Sequence, residues 1–158
     1  MYESKYPIPA VTSDAIIHDS TDILLIKRKD EPFKGKWAFP GGHLNEYESA
    51  RECCCREVKE ETGLWIGQYC PHTPIDIFGA KGRDPRGWVI SFPFLVKVPD
   101  QFYTWDKIKA GDDAEDVKWF SLSEVRKKNI ELLAFDHFDI LNRYVFNWGI
   151  HIPYFPRG

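Results

Sequence analysis

The chain has 158 residues, a length that fits one domain, and 43% of them are hydrophobic, enough apolar surface to build a core. A formal net charge of −3 argues against a dedicated nucleic-acid surface, which carries a basic excess, yet allows a phosphorylated substrate bridged to carboxylates by a divalent cation. No apolar run approaches the roughly 20 residues of a membrane span and Met1 to Lys5 has no apolar signal core, so the expectation is a cytoplasmic protein without nucleic-acid or membrane partners.

In chain order, Val11 to His18 and Ile23 to Lys29 read as strands, joined by a turn at Asp19-Ser20-Thr21-Asp22. Gly35 to Pro40 reads as a short aromatic strand ending in a break at Pro40-Gly41-Gly42, where a ligand can approach the backbone. A helix follows. Ser49 and Glu52 form a capping box at its start, and Gly63 suits a left-handed cap at its end. Trp65 to Phe78 reads as extended segments interrupted by Pro71 and Pro74, and Gly79 to Gly87 as a polar loop. Trp88 to Val98 is a strand, Asp100 to Asp116 a second polar loop and Val117 to Phe120 a short strand. Ser121 to Lys128 is a short helix capped by Ser121 or Ser123, and a last helix covers about Phe135 to Trp148. Helices packed against a mixed sheet are the architecture this order predicts.

Cys53, Cys54 and Cys55 are consecutive. Neighbouring helical residues point about 100° apart, so these thiols cannot converge on one zinc; with Cys70 they read as reduced, partly buried thiols. On the same helix, Glu57 and Glu61 share a face and Glu60 sits at its edge. Carboxylates at these spacings repel, and a divalent cation removes the penalty; hard oxygen ligands suit Mg²⁺ or Mn²⁺. Ala50, Cys53 and Cys54 lie within roughly 60° of the Glu57–Glu61 line, so the carboxylates border the buried face, with Glu52 and Lys59 on the wet side.

The segment Gly42 to Leu64 resembles the Nudix box, G-x5-E-x7-R-E-U-x-E-E-x-G-U with U aliphatic, at every position; Val58 and Leu64 fill the aliphatic places. Leu24 to Arg28 followed by Gly35 to Gly42 is similar to the usual Nudix lead-in. The resemblance implies an α/β fold, the Nudix α/β/α sandwich with a mixed sheet, as a single domain over 1–158. It implies Mg²⁺ or Mn²⁺ held by Glu57 and Glu61, with help from Glu60 and the main-chain carbonyl of Gly41. Glu48 sits near the metals, in an outer layer or as a ligand. Arg56 holds the carboxylates in position through charge-assisted hydrogen bonds. The reaction is cleavage of a pyrophosphate bond, with a carboxylate taking the proton from water. Candidates for that base are Glu60 and, on the loop before the short strand, Glu115.

Outside the box, Gly82 to Ser91, Gly111 to Ala114 before Trp119-Phe120, and Leu133 to His137 look like the ADP-ribose pyrophosphatase group and the Nudix domains of NAD-metabolism regulators and bifunctional NAD-synthesis enzymes. That likeness implies Arg83 and Arg86 on the distal phosphate or ribose, Arg28 in the same service, and an aromatic such as Phe39 or Trp37 stacked on adenine. With no basic helix-turn-helix in the tail and about forty residues before the box, a stand-alone hydrolase is the expectation. Three readings stay open: an ADP-ribose pyrophosphatase giving AMP and ribose 5-phosphate, a non-catalytic ADP-ribose sensor, and a pyrophosphohydrolase of normal or oxidised nucleoside triphosphates. The intact Arg56, Glu57, Glu60 and Glu61 favour an enzyme. The aromatic ends, Tyr2, Tyr6, Tyr154 and Phe155, are compatible with a homodimer interface.

Overall fold

Asp19 closes the first hairpin: its Oδ1 accepts hydrogen bonds from the amides of Thr21 (2.8 Å) and Asp22 (2.7 Å), and His18 stands opposite Ile23. The computed structural model describes residues 3–99, 110–111 and 114–147. Its sheet is built on β1 (Ala10–His18) and β2 (Asp22–Arg28). β3 (Trp37–Ala38) pairs with β2, and β4 (Gly41–His43) pairs antiparallel with Thr12 to Asp14 of β1. β5 (Val89–Lys97) runs parallel to the whole of β1, and β6 (Ala114–Ser121) runs antiparallel to β2. The sheet is therefore mixed.

Alternation along the strands divides the core between the two faces. Ala15, Ile17, Leu24, Phe94 and Trp119 face one side, where Cys54, Cys55 and Val58 of α1 (Ala50–Thr62) cover them. Ile16, Ile23, Leu25 and Phe120 face the other. There they meet Leu122 and Val125 of α2 (Leu122–Lys128) and Ile140 and Leu141 of α3 (His137–Leu141). Helices on both faces of a mixed sheet make the α/β/α sandwich.

α1 begins and ends as its sequence dictates. The Ser49 side chain accepts from the Glu52 amide while Glu52 accepts from the Ser49 amide, and Gly63, at φ 79°, donates its N–H to the Lys59 carbonyl. Ser121, not Ser123, caps α2.

Four sequence expectations need correction. Trp65 to Phe78 forms no strand. Tyr69 and Cys70 turn back onto the Ile66 carbonyl, and Arg51 collects the carbonyls of Gly67, Cys70 and Pro71, so a side chain replaces a ladder partner. The segment meets β5 at two points: the Ile75 amide donates to the Pro93 carbonyl (2.9 Å), and Phe78 forms a bridge to Ser91. β6 starts at Ala114 rather than Val117 because β2 offers a partner as far as Arg28. Gly41 and Gly42 lie in a short strand instead of a break. The last helix is α3 followed by a π-helical turn, Asn142–Phe146; Trp148 lies outside the described residues, as do Tyr2, Tyr154 and Phe155. Tyr6 is exposed. Among the described residues no helix is long and apolar enough to cross a membrane.

Candidate active site

α1, β4 and β1 meet where the glycines allow it. A Cβ on Gly41 would collide with Asp14, and one on Gly42 would collide with the Glu57 carboxylate. At Gly41 only hydrogen fits against the Ser13 and Asp14 backbone, and at Gly42 a side chain would have to displace the Glu57 carboxylate, so backbone and carboxylates come into direct contact. The Gly41 amide donates to Glu61 Oε2 (2.8 Å) and fixes that side chain, which is buried.

Arg56 organises the other carboxylates. Its Nε and Nη2 donate to the two oxygens of Glu48 (2.6 and 2.9 Å), and its Nη1 donates to Glu57 (2.8 Å) and Glu60 (3.2 Å). Its Nη2 also reaches the His43 carbonyl at 3.0 Å. These bonds, with Glu48 the strongest, raise the pKa of Arg56. The bond to Arg56 lowers that of Glu48. An Arg among carboxylates prevents their mutual repulsion from splaying the helix end.

Sequence reasoning missed Asp14. It lies mid-way along an apolar strand, accepts a hydrogen bond from Ser91 Oγ (2.7 Å), and faces the same hollow as Glu57 and Glu61. Withdrawal from solvent pushes its pKa up to about 6, partly opposed by the Ser91 bond. The only sequence signal for it was a carboxylate inside an otherwise buried strand.

The hollow is a cavity of about 470 Å³ lined by both acidic and basic side chains. Asp14, Glu57 and Glu61 supply carboxylates to its lining, and Arg28, Arg83 and Arg86 supply guanidinium groups. Both arginines of the 79–87 loop are tethered. Arg83 donates two hydrogen bonds to Asp136 (2.9 and 2.8 Å) and Arg86 two to Asp84 (3.0 and 2.7 Å). Arg28 donates Nε to the Pro32 carbonyl (2.6 Å) and has no carboxylate partner within ion-pair distance among the described residues. Asp84 and Asp136 were also missed as site residues, although both lie inside segments that resemble the ADP-ribose pyrophosphatase group.

Residues 9–144 match the NUDIX domain family. This chain belongs to the Nudix hydrolase family. It is 42% identical over 142 residues to the ADP-ribose pyrophosphatase of Methanocaldococcus jannaschii, covering 89% of this chain and 75% of that one. It is 31% identical to the ADPR responsive transcriptional repressor NtrR of Acinetobacter baylyi, covering 89% of this chain and 55% of the repressor. Among solved structures, the bifunctional NMN adenylyltransferase/ADP ribose pyrophosphatase of Francisella tularensis, complexed with AMP and a Mn ion, matches with a TM-score of 0.77 at 30% identity. That match covers 92% of this chain and 44% of the other. The NUDIX domain of Shewanella oneidensis NrtR, complexed with ADP ribose, matches with a TM-score of 0.75 at 28% identity, covering 90% of each chain. This chain thus spans about half of the repressor and less than half of the bifunctional enzyme.

Within the Nudix frame, the fold brings Gly41, Glu57, Glu61, Arg28, Arg83, Arg86 and Phe39 to one cavity. Glu48 and Glu60 do not line it; both pair with Arg56, which also bonds Glu57. Glu115 does not line it; on β6 it is exposed and pairs with Lys27 at 3.7 Å. Phe39 is 2% exposed and stacked on His137 at 4.2 Å, so its faces are largely committed to packing. Trp37 packs edge-on against Phe120. The donor set fits a hard divalent ion: the carboxylates of Glu57 and Glu61 and the backbone at Gly41 offer oxygen, and the glycine cradle leaves the ion room to approach. Among the described residues no group of three His, Cys, Asp or Glu side chains is drawn into ligand positions. The four cysteines are buried and free.

Proposed function

We propose that this chain hydrolyses the pyrophosphate bond of ADP-ribose, with Mg²⁺ or Mn²⁺, to AMP and ribose 5-phosphate. The observation that carries this is one cavity lined by both the carboxylates of Glu57 and Glu61 and the guanidinium groups of Arg28, Arg83 and Arg86. A pyrophosphate there is bound by both sets of side chains: by arginines directly, and by carboxylates through the cation. The Methanocaldococcus pyrophosphatase and the ADP-ribose complex of the Shewanella NUDIX domain support the substrate.

Glu57, Glu61 and the Gly41 carbonyl hold the cation, with Glu60 assisting. When bound, it neutralises the pyrophosphate and lowers the pKa of water. Arg56 orients Glu48, Glu57 and Glu60. Glu60 takes the proton as water oxygen bonds to phosphorus and the bridging P–O bond breaks. Glu115 serves as base only if it leaves Lys27 and its segment moves toward α1, where the Gly111 amide already donates to the Glu61 carbonyl (3.0 Å). Arg28, Arg83 and Arg86 bind the second phosphate and its ribose.

A second reading, a sensor that binds ADP-ribose without cutting it, is favoured by the likeness to the Acinetobacter repressor and the Shewanella domain. Shewanella NrtR has also been crystallised with a 27mer DNA, and this chain spans 59% of that protein. We propose a small-molecule nucleotide as the ligand here, without nucleic acid. The test is a panel of ADP-ribose, dGTP and 8-oxo-dGTP with and without Mg²⁺, read by product identity. AMP and ribose 5-phosphate, formed only with metal, are expected. Preference for a triphosphate overturns the substrate, and tight ADP-ribose binding without cleavage replaces the enzyme by the sensor.

A further inference from the structure

Phe135 has a backbone φ of 52°, in the left-handed region that side chains other than glycine rarely adopt. A glycine would hold such a turn at lower cost, so a phenylalanine there points to a use for its ring. The Arg28 guanidinium carbon lies 4.8 Å from the ring centroid and that of Arg86 lies 5.5 Å from it. Phe33 packs against the ring edge-on at 4.9 Å. Phe135 itself lines the cavity and the neighbouring hollow that runs past Arg83.

Arg28 and Arg86 carry like charge and line the same cavity beside the same ring. Burial and the charge of Arg86 both disfavour the Arg28 cation. Arg86 is secured by buried Asp84, whereas the Arg28 side chain, among the described residues, meets the Pro32 carbonyl and this ring. The negative face of an aromatic ring attracts a guanidinium without neutralising it, so the cation stays available to an anion.

We infer that Phe135 is a positioning residue for anion recognition: its ring holds Arg28 and Arg86 toward the cavity for a pyrophosphate-containing ligand. The inference rests on the reading that these arginines meet the substrate's phosphate or ribose. Phe135 touches no reacting atom, so its loss acts on binding and spares the metal-side chemistry.

The experiment compares wild type, Phe135→Leu and Phe135→Tyr, folded by circular dichroism. Kd is measured by calorimetry for Mg²⁺–pyrophosphate and for α,β-methylene-ADP, and kcat and KM for ADP-ribose. Phe135→Leu should weaken both ligands and raise KM on the order of tenfold with kcat nearly unchanged, and Phe135→Tyr should restore most of the loss. Wild-type affinity in Phe135→Leu overturns the inference. So does equal loss in Leu and Tyr variants, or a fall in kcat at constant KM. Pyrophosphate carries neither adenosine nor ribose. If the wild type does not cut ADP-ribose, the substrate reading falls alone, and the pyrophosphate titration still decides the role of Phe135. Absence of pyrophosphate binding to the wild type overturns it too.

Discussion

Arg83 and Asp136 stand 53 positions apart in sequence and meet through two hydrogen bonds of 2.9 and 2.8 Å. The Arg83 side chain is only 6% exposed, so the pair both ties the 79–87 loop to the start of α3 and presents a guanidinium to the cavity. Removing either partner strands the other away from full solvation. Arg83→Ala or Asp136→Ala should each cost about 3 kcal/mol of stability, with the double variant far from additive. Urea titration of the four proteins checks this; additive losses would mean the two side chains do not act as a unit. Arg83→Ala should also raise KM for ADP-ribose, and Arg86→Ala should do so with less loss of stability, since the Arg86 side chain is 44% exposed.

Glu57→Gln and Glu61→Gln should fold normally and lose turnover by orders of magnitude, because an amide cannot replace a charged oxygen ligand. Mn²⁺ affinity measured by calorimetry should fall in parallel. Wild-type rates in either folded variant would remove these residues from the metal site.

Two buried histidines make the fold sensitive to acid. Burial, reinforced by Lys97, lowers the pKa of His18 from 6.5 to about 4, and burial lowers that of His137 from 6.5 to about 3. Each is neutral in the native protein while the unfolded chain takes up a proton below about pH 6.5. Their contribution is therefore complete above pH 6.5 and declines as pH falls, until about 4 for His18 and about 3 for His137. The slope is roughly 1.4 kcal/mol per pH unit per histidine. Denaturant midpoints between pH 7 and 4.5 should follow that decline, and His18→Gln should flatten it; an unchanged slope would place the acid sensitivity elsewhere.

The thiols of α1 should matter to packing and not to catalysis. Cys53 and Cys54 are fully buried and Cys55 is 4% exposed. Burial pushes the Cys53 thiol up to about 12, so it is not a nucleophile near neutral pH. Replacing all three by Ser should lower Tm by several degrees, about what loss of a few kcal/mol produces, and leave the metal-saturated rate near that of wild type. Stoichiometric zinc bound by purified protein through these thiols would contradict this.

Local chemistry wrote much of this protein into its sequence. The Asp19 turn, the Ser49–Glu52 box, the Gly63 cap and the alternation along β1 and β2 all act within a few residues, so they are legible one segment at a time. The box placed Arg56, Glu57, Glu60 and Glu61 on one helix for the same reason: a helix sets the relative directions of its own side chains. What lay beyond reach depends on distance along the chain. Asp14 became part of the cavity only because β1 lies beside β4 and β5, which bring Gly41 and Ser91 to it. Arg83 acquired direction from Asp136, 53 residues away, and Glu115 was turned toward Lys27 by the register of β6 on β2. Side chains on separate elements have no fixed relation until the sheet is assembled, and packing, hydrogen bonding and charge then decide which of them share a cavity.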